Sequence, residues 1–301
     1  MTSNIYLERT ESKFEVKLPV LAVPELIKTI GSYIPLHEYV PGQMITHNNT
    51  IYFDSEDCFL LRQGLENRFD HLRVRARKYE YDNSEPAHSY YWLELKIRQG
   101  ETRKKERINL TANDLRGLLH GLPVTPRVCD YNSSHLGEEA CRALYEQLQD
   151  IVEERALKPI LLASYQRVAF ENATDRLSID WDIRYRLAGR FLFGYPSLNE
   201  IPHAPAGEED TIVMELKYTG ELPTWVQDLQ RHLPIQRLAS FSKCDRGMKT
   251  LLQGPLSDRS DAGDLLQMMH TYKHDDEGVA QLGGMSFVNA HRDLRDERRV
   301  G

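Results

Sequence analysis

The run Leu72-Arg73-Val74-Arg75-Ala76-Arg77 puts an arginine at every second position, with apolar residues between. Successive side chains of a strand point to opposite faces, so this run has one basic face and one apolar face. The same period of two recurs along the chain. Glu94, Lys96 and Arg98 oppose Leu93, Leu95 and Ile97, and Arg103, Lys105 and Arg107 share a face. Arg176, Ser178, Asp180, Asp182 and Arg184 alternate with Leu177, Ile179, Trp181 and Ile183. Glu215 and Lys217 alternate with Met214 and Leu216, while Glu11, Lys13, Glu15 and Lys17 are in phase near the start. One such strand reads as a wet face above an apolar core. Six of them, dense in Arg mixed with Glu and Asp rather than in Thr, Ser and Gln, read differently. Helices over the apolar faces would leave the charged faces to line a concave surface or a closed tunnel.

Helical spacing supplies the covering elements. Pro24 opens a helix with Leu26, Ile27, Ile30 and Ile34 on one stripe, and Thr111 is a good N-cap for a second. Further helices are predicted over Glu56–Gly64, Gly137–Glu154, Leu222–Leu233 and Ser242–Leu252. The chain is predicted to be α+β, with one domain over residues 5–254 and a weakly structured tail over 255–301.

Composition narrows the class of protein. The 301 residues carry a net charge of −7, which argues against a dedicated duplex-DNA binder. Yet the segment Arg62–Arg107 holds twelve Lys and Arg against eight Asp and Glu, so the charge is locally inverted. Tyr90, Tyr91 and Trp92 do not make a continuous stacking platform, because Tyr91 opposes the other two, and no nucleic-acid partner is expected. The four cysteines form no C-x-x-C pair, which fits a reducing compartment. No segment approaches the length of a membrane span, and the expected location is cytoplasmic. Several cations with one or two carboxylates inside a tunnel suit a polyphosphate with a divalent metal.

The chain resembles the VTC domain (vacuolar transporter chaperone, polyphosphate polymerase), a branch of the triphosphate tunnel metalloenzymes that include the CYTH phosphatases. The resemblance rests on an ordered series of motifs. They are Arg9-x-Glu11-x-Lys13-Phe14, Thr50-Ile51-Tyr52-Phe53-Asp54, Leu72-Arg73-Val74-Arg75, Glu94-Leu95-Lys96 and Lys105-Glu106-Arg107. Then come Ser164-Tyr165-Gln166-Arg167, Arg176-Leu177-Ser178-Ile179-Asp180, Met214-Glu215-Leu216-Lys217 and Phe241-Ser242-Lys243.

That family implies an antiparallel eight-stranded β-barrel tunnel with covering helices. It implies transfer of the ATP γ-phosphoryl group to a growing inorganic polyphosphate chain, with Mn²⁺ or Mg²⁺ as cofactor. Carried over by motif, the catalytic set is Lys13, Arg73, Arg75, Lys96, Arg167 and Glu215. Arg62, Lys105, Tyr165, Arg176, Lys217 and Lys243 are the implied phosphate-binding residues, the motif around Arg62 being loose. Glu215 is the implied metal ligand, with Glu11 and Glu15 open as second ligands. The stretch Glu11-x-Lys13-x-Glu15-x-Lys17 departs in phase from the E-x-E-x-K start of CYTH enzymes. Neither the SPX domain nor the membrane helices of the eukaryotic complex are in the sequence, which implies a stand-alone protein. The alternatives are a tripolyphosphatase or nucleoside triphosphate hydrolase on the same fold, and a non-catalytic polyphosphate-binding module.

Overall fold

The computed structural model describes residues 10–271 except 68, 83–89, 101, 190–192, 194, 196, 200 and 202. The alternating runs form strands: β1 (Thr10–Val16), β2 (Leu36–His37), β3 (Thr46–Asp54), β4 (Asp70–Glu80), β5 (Tyr91–Gln99) and β6 (Thr102–Leu110). The series continues with β7 (Lys158–Glu171), β8 (Arg176–Leu187), β9 (Gly207–Glu209), β10 (Ile212–Tyr218) and β11 (Ile235–Leu238). The helices are α1 (Val23–Gly31), α2 (Phe59–Glu66), α3 (Ala112–Leu119), α4 (Pro126–Asn132), α5 (Glu138–Glu154), α6 (Thr224–His232) and α7 (Lys243–Gln253). Thr111 caps α3 as its position predicts, its hydroxyl accepting from the Asp114 N–H in a reciprocal capping box. The short β2, β9, β11 and α4 are not among the predicted elements. Each has too few residues to show a period.

One antiparallel sheet runs β11-β1-β10-β8-β7-β3-β4-β5-β6, with β2 beside β7 and β9 beside β8. The six alternating runs, with β7 and β3 between β8 and β4, are therefore neighbours in a single path. No ladder joins β6 to β11 or β1 among the described residues, so the sheet curls into a trough whose two edges do not close by hydrogen bonds.

Three apolar clusters hold the layers. Outward residues of β3–β6, such as Ile51, Val74, Leu93 and Ile108, pack with Leu115 and Leu118 of α3 and Leu144 and Leu148 of α5. On the other half, Phe14, Ile179 and Leu216 pack against Leu26 and Ile30 of α1 and Val226 and Leu229 of α6. Full burial of one such side chain contributes about 1.5–3 kcal/mol. The third cluster lies on the concave side. There Tyr52, Leu161, Ala163, Ile183, Tyr185 and Val213 meet Met248, Leu251 and Leu252 of α7. Charged residues thus line only part of the trough, and α7 fills the rest.

A local irregularity allows this. Asp182 adopts φ 53, in the left-handed region, and the β7–β8 register shifts between Ser164 and Gln166. The bulge reverses the alternation of β8. Ile183 and Tyr185 enter the concave cluster, and the basic and acidic row predicted to continue through Asp182 and Arg184 ends at Asp180. Arg184 instead pairs with Asp182 at 2.8 Å, half exposed.

The segment after Gly254, expected to be weakly structured, is helical over 262–271, and Ala262, Leu265 and Met269 are buried in the third cluster. Its apolar residues recur at helical spacing over so short a stretch that only contact with α7 and the strands defines it. Residues 5–9 and 272–301 of the predicted domain and tail lie outside the described residues.

At Gly247, on the buried side of α7, a Cβ would stand 2.7 Å from side-chain atoms of both Leu161 and Tyr185. Gly247→Ala is expected to lose about 1–3 kcal/mol of stability by overpacking. An exposed helix site would gain by the same change. Chemical denaturation of the two proteins measures the sign.

Candidate functional site

The concave row of each strand delivers its residues to one space. β4 contributes Arg73, Arg75 and Arg77, β5 Lys96, β6 Lys105 and Arg107, β7 Arg167, and β8 Arg176. Glu215 and Lys217 come from β10, Glu11 and Lys13 from β1, and Lys243 from the start of α7. Together they line a cavity of about 730 Å³ in which eleven Lys and Arg face two carboxylates, Glu11 and Glu215.

Glu15, left open as a second metal ligand, is not in the lining and pairs with Lys17 at 4.0 Å. All but one of the other sequence-predicted site residues are here: Lys13, Arg73, Arg75, Lys96, Lys105, Tyr165, Arg167, Arg176, Glu215, Lys217 and Lys243. Arg62 is not. It projects from α2, where its guanidinium donates to Asp261 at 2.6 Å and to the Asp57 carbonyl at 3.0 Å. Arg62 ties α2 to the chain beyond α7, which a helical position outside the alternating strands permits. Arg77, Arg107 and three tyrosines, Tyr39, Tyr79 and Tyr81, also line the cavity. Alternation along β4 and β6 signals Arg77 and Arg107, whereas no sequence pattern brings Tyr39 to this wall.

So many cations on one wall repel each other, and two buried carboxylates hold them in place. Asp180, 1% exposed, accepts from Arg167 at both oxygens, at 2.6 and 2.7 Å, and from Lys243 at 2.6 Å. Glu94, 0% exposed, accepts from Arg75 at 2.6 Å and pairs with Lys105 at 2.5 Å. Burial alone would raise both carboxyl pKa values. Arg75, Arg77 and Lys105 outweigh it at Glu94, and Arg167 and Lys243 outweigh it at Asp180, so each sits at about 2. Tyr165 lies beneath Lys243, whose ammonium is 4.4 Å from the ring centroid.

Lys96 stands between Arg73 and Lys105 in the strand register. Burial and then the charges of Arg75 and Arg77 lower its pKa to about 7, against the pull of Glu94. The acidic side of the cavity is different. Lys217 reaches Glu215 at 3.4 Å and Glu11 at 3.5 Å, and Lys13 reaches Glu11 at 3.3 Å. Burial opposes ionisation of Glu215, but Lys217, Arg167 and Lys13 hold its pKa below the ordinary value.

Among the described residues no group of three His, Cys, Asp or Glu converges on one point. A hard divalent ion of the magnesium type is commonly held by one or two carboxylates, with phosphate oxygens and water completing the shell. Glu215 and Glu11 are such a pair, so the donor set fits a metal that arrives with a phosphate ligand.

The model of the VTC domain matches residues 8–252. The chain belongs to the VTC domain family. Vacuolar transporter chaperone complex subunit 4 of Trypanosoma brucei brucei is 24% identical over 276 residues, covering 81% of this chain and 34% of that protein. The chain therefore spans about a third of that relative's length. Among solved structures, a candidate adenylate cyclase from Bacillus halodurans is 14% identical with a TM-score of 0.42, over 79% of this chain and 96% of that one. One from Vibrio parahaemolyticus is 10% identical with a TM-score of 0.34, over 74% and 83%. No described helix of this VTC domain is long and apolar enough to cross a membrane.

Two measurements test the electrostatics of this VTC domain. Asp180→Asn strands Arg167 and Lys243 in a buried site and is expected to cost about 3 kcal/mol of stability in denaturant. Added inorganic tripolyphosphate should restore part of it. Lys96 gives a pH signature. Its folded pKa of about 7 lies below the ordinary 10.5, so the unfolded chain holds the extra proton between these values. Stability therefore rises with pH through that window, by at most about 1.4 kcal/mol per pH unit for one proton. Lys96→Met should flatten the rise in denaturation curves taken from pH 7 to pH 9.

Proposed function

We propose that this chain is a phosphotransferase that moves the γ-phosphoryl group of ATP onto the end of an inorganic polyphosphate and releases ADP. The observation that carries it is the wall of eleven cations facing Glu11 and Glu215 across one cavity, with the cations on opposite strands held by buried Asp180 and Glu94. Family membership supports the same reading.

Phosphoryl transfer asks a protein mainly for positioning and charge neutralisation. Arg73, Arg75, Arg77 and Lys96 form a contiguous cationic surface along β4 and β5 that would hold the equatorial oxygens of the transferred group. Arg167 and Lys243, fixed by Asp180, would grip neighbouring phosphates from the other side. A terminal oxygen of the polyphosphate attacks the γ-phosphorus, the new P–O bond forms, and the bond to the β,γ-bridging oxygen breaks with its electrons leaving on ADP. The polyphosphate's own terminal oxygen is the nucleophile in this reading, so the chain need only position it. Glu215, with Glu11 beside it, would hold Mn²⁺ or Mg²⁺, which would supply charge neutralisation to the phosphates.

Incubation of the purified protein with ATP and Mn²⁺ should yield ADP and long polyphosphate on gels; free phosphate in place of polyphosphate overturns the proposal in favour of a hydrolase. Glu215→Ala should lower turnover by more than the ~10–100-fold loss typical of changes in a ligand's outer partners. The folded structure should persist by circular dichroism, because Glu215 faces the cavity and not an apolar cluster. Full activity in that variant would remove Glu215 from the mechanism.

A further inference from the structure

We infer that the tyrosine rim formed by Tyr39, Tyr79 and Tyr81 is a nucleoside subsite, where the base of the phosphoryl donor stacks while its triphosphate points into the cationic cavity. This rests on the phosphotransferase reading above and adds how the donor is oriented and told apart from a bare polyphosphate.

The aromatic residues lining the cavity fall into two groups. Tyr52, Tyr165 and Phe241 are at most 7% exposed and belong to the apolar cluster under α7. Their faces are taken: Lys243 lies over Tyr165 and Phe241, and Arg167 over Tyr165. No flat ring can enter there without displacing α7. The second group is less buried. Tyr39 is 44% exposed, and Tyr79 and Tyr81 are half-buried.

The rim is continuous with the cations. Tyr79 and Tyr81 follow Arg73, Arg75 and Arg77 on the same face of the chain, and Tyr79 lies two residues, about 7 Å, beyond Arg77. Tyr39 is held from a different segment. Its hydroxyl accepts from Arg176, whose guanidinium carbon is 5.6 Å from the ring centroid, and His37 meets the ring edge-on at 4.7 Å between centroids. The plain alternative is that these tyrosines only pack at a strand end. The exposure of Tyr39 argues against it: with Arg176 over one face and His37 at the edge, the ring is still 44% exposed. A polyphosphate has no apolar face and gains nothing from such a rim. A nucleoside triphosphate gains a stacked base at the point where its charged tail must enter.

Binding of ATP and of inorganic tripolyphosphate, measured by calorimetry without divalent metal so that no turnover intrudes, separates the two contributions. Tyr39→Ala and Tyr79→Ala should each weaken ATP about tenfold, within the range of stacking a base on an aromatic ring, and leave tripolyphosphate within about twofold. Tyr39→Phe keeps the ring and should keep most of the ATP affinity. Lys96→Met should weaken both ligands together. Loss of ATP and tripolyphosphate affinity in parallel in the tyrosine variants, or loss of neither, overturns the nucleoside subsite while the phosphate cavity stands. Failure of the unaltered protein to bind tripolyphosphate at all overturns the functional reading, and the subsite with it.

Discussion

The structure depends on two carboxylates buried behind a wall of like charge. Eleven Lys and Arg around one cavity would drive the strands apart if each stood alone. Asp180 bridges β7, β8 and the start of α7 through Arg167 and Lys243, and Glu94 bridges β4, β5 and β6 through Arg75 and Lys105. Each carboxylate gathers two cations at 2.5–2.7 Å, and its removal would leave charges in a medium that solvates them poorly. The neutralisation is partial. Arg77 leans on the Thr50 hydroxyl and Arg107 on the Trp92 ring, so a positive field persists in the cavity. A polyanion is the ligand such a field selects.

The second constraint is that the trough is filled at one part by apolar side chains. The bulge at Asp182 turns Ile183 and Tyr185 inward, Gly247 lets α7 approach them, and the helix over 262–271 packs behind. Ser242 links this apolar part to the charged one: its hydroxyl caps α7 and accepts from Arg73 at 3.2 Å. Excluding water from the floor lowers the local dielectric and strengthens the interactions of Arg167 and Lys243 above it.

Much of this is legible in the residues. The period of two in β1, β4–β6, β8 and β10 shows which side chains share a face, and the motifs of the resembled family single out Lys13, Arg73, Arg75, Lys96, Lys105 and Glu215 within those rows. Residue types alone do not mark the places where the period is broken or absent. Asp182 and Arg184 look like a continuation of the row through Asp180 because a one-residue bulge leaves no mark on the pattern of residue types. Arg62 sits beside a basic segment in sequence but on a helix in space, where Asp261 takes its charge. Tyr39 joins the site through Arg176, a pairing across 137 positions that local spacing cannot show.

Residue order alone specifies a largely antiparallel sheet with a charged face and an apolar face, because strand geometry converts a two-residue alternation directly into sides. It also determined the sign of the charge on that face. Tertiary packing set the rest: the sheet curls without closing its edges among the described residues, α7 occupies the concave side, and Asp180 and Glu94 neutralise some cations and leave others. Those outcomes depend on register, a bulge and the packing of distant segments. Each is set by which side chains meet across the trough, and local residue order does not encode that.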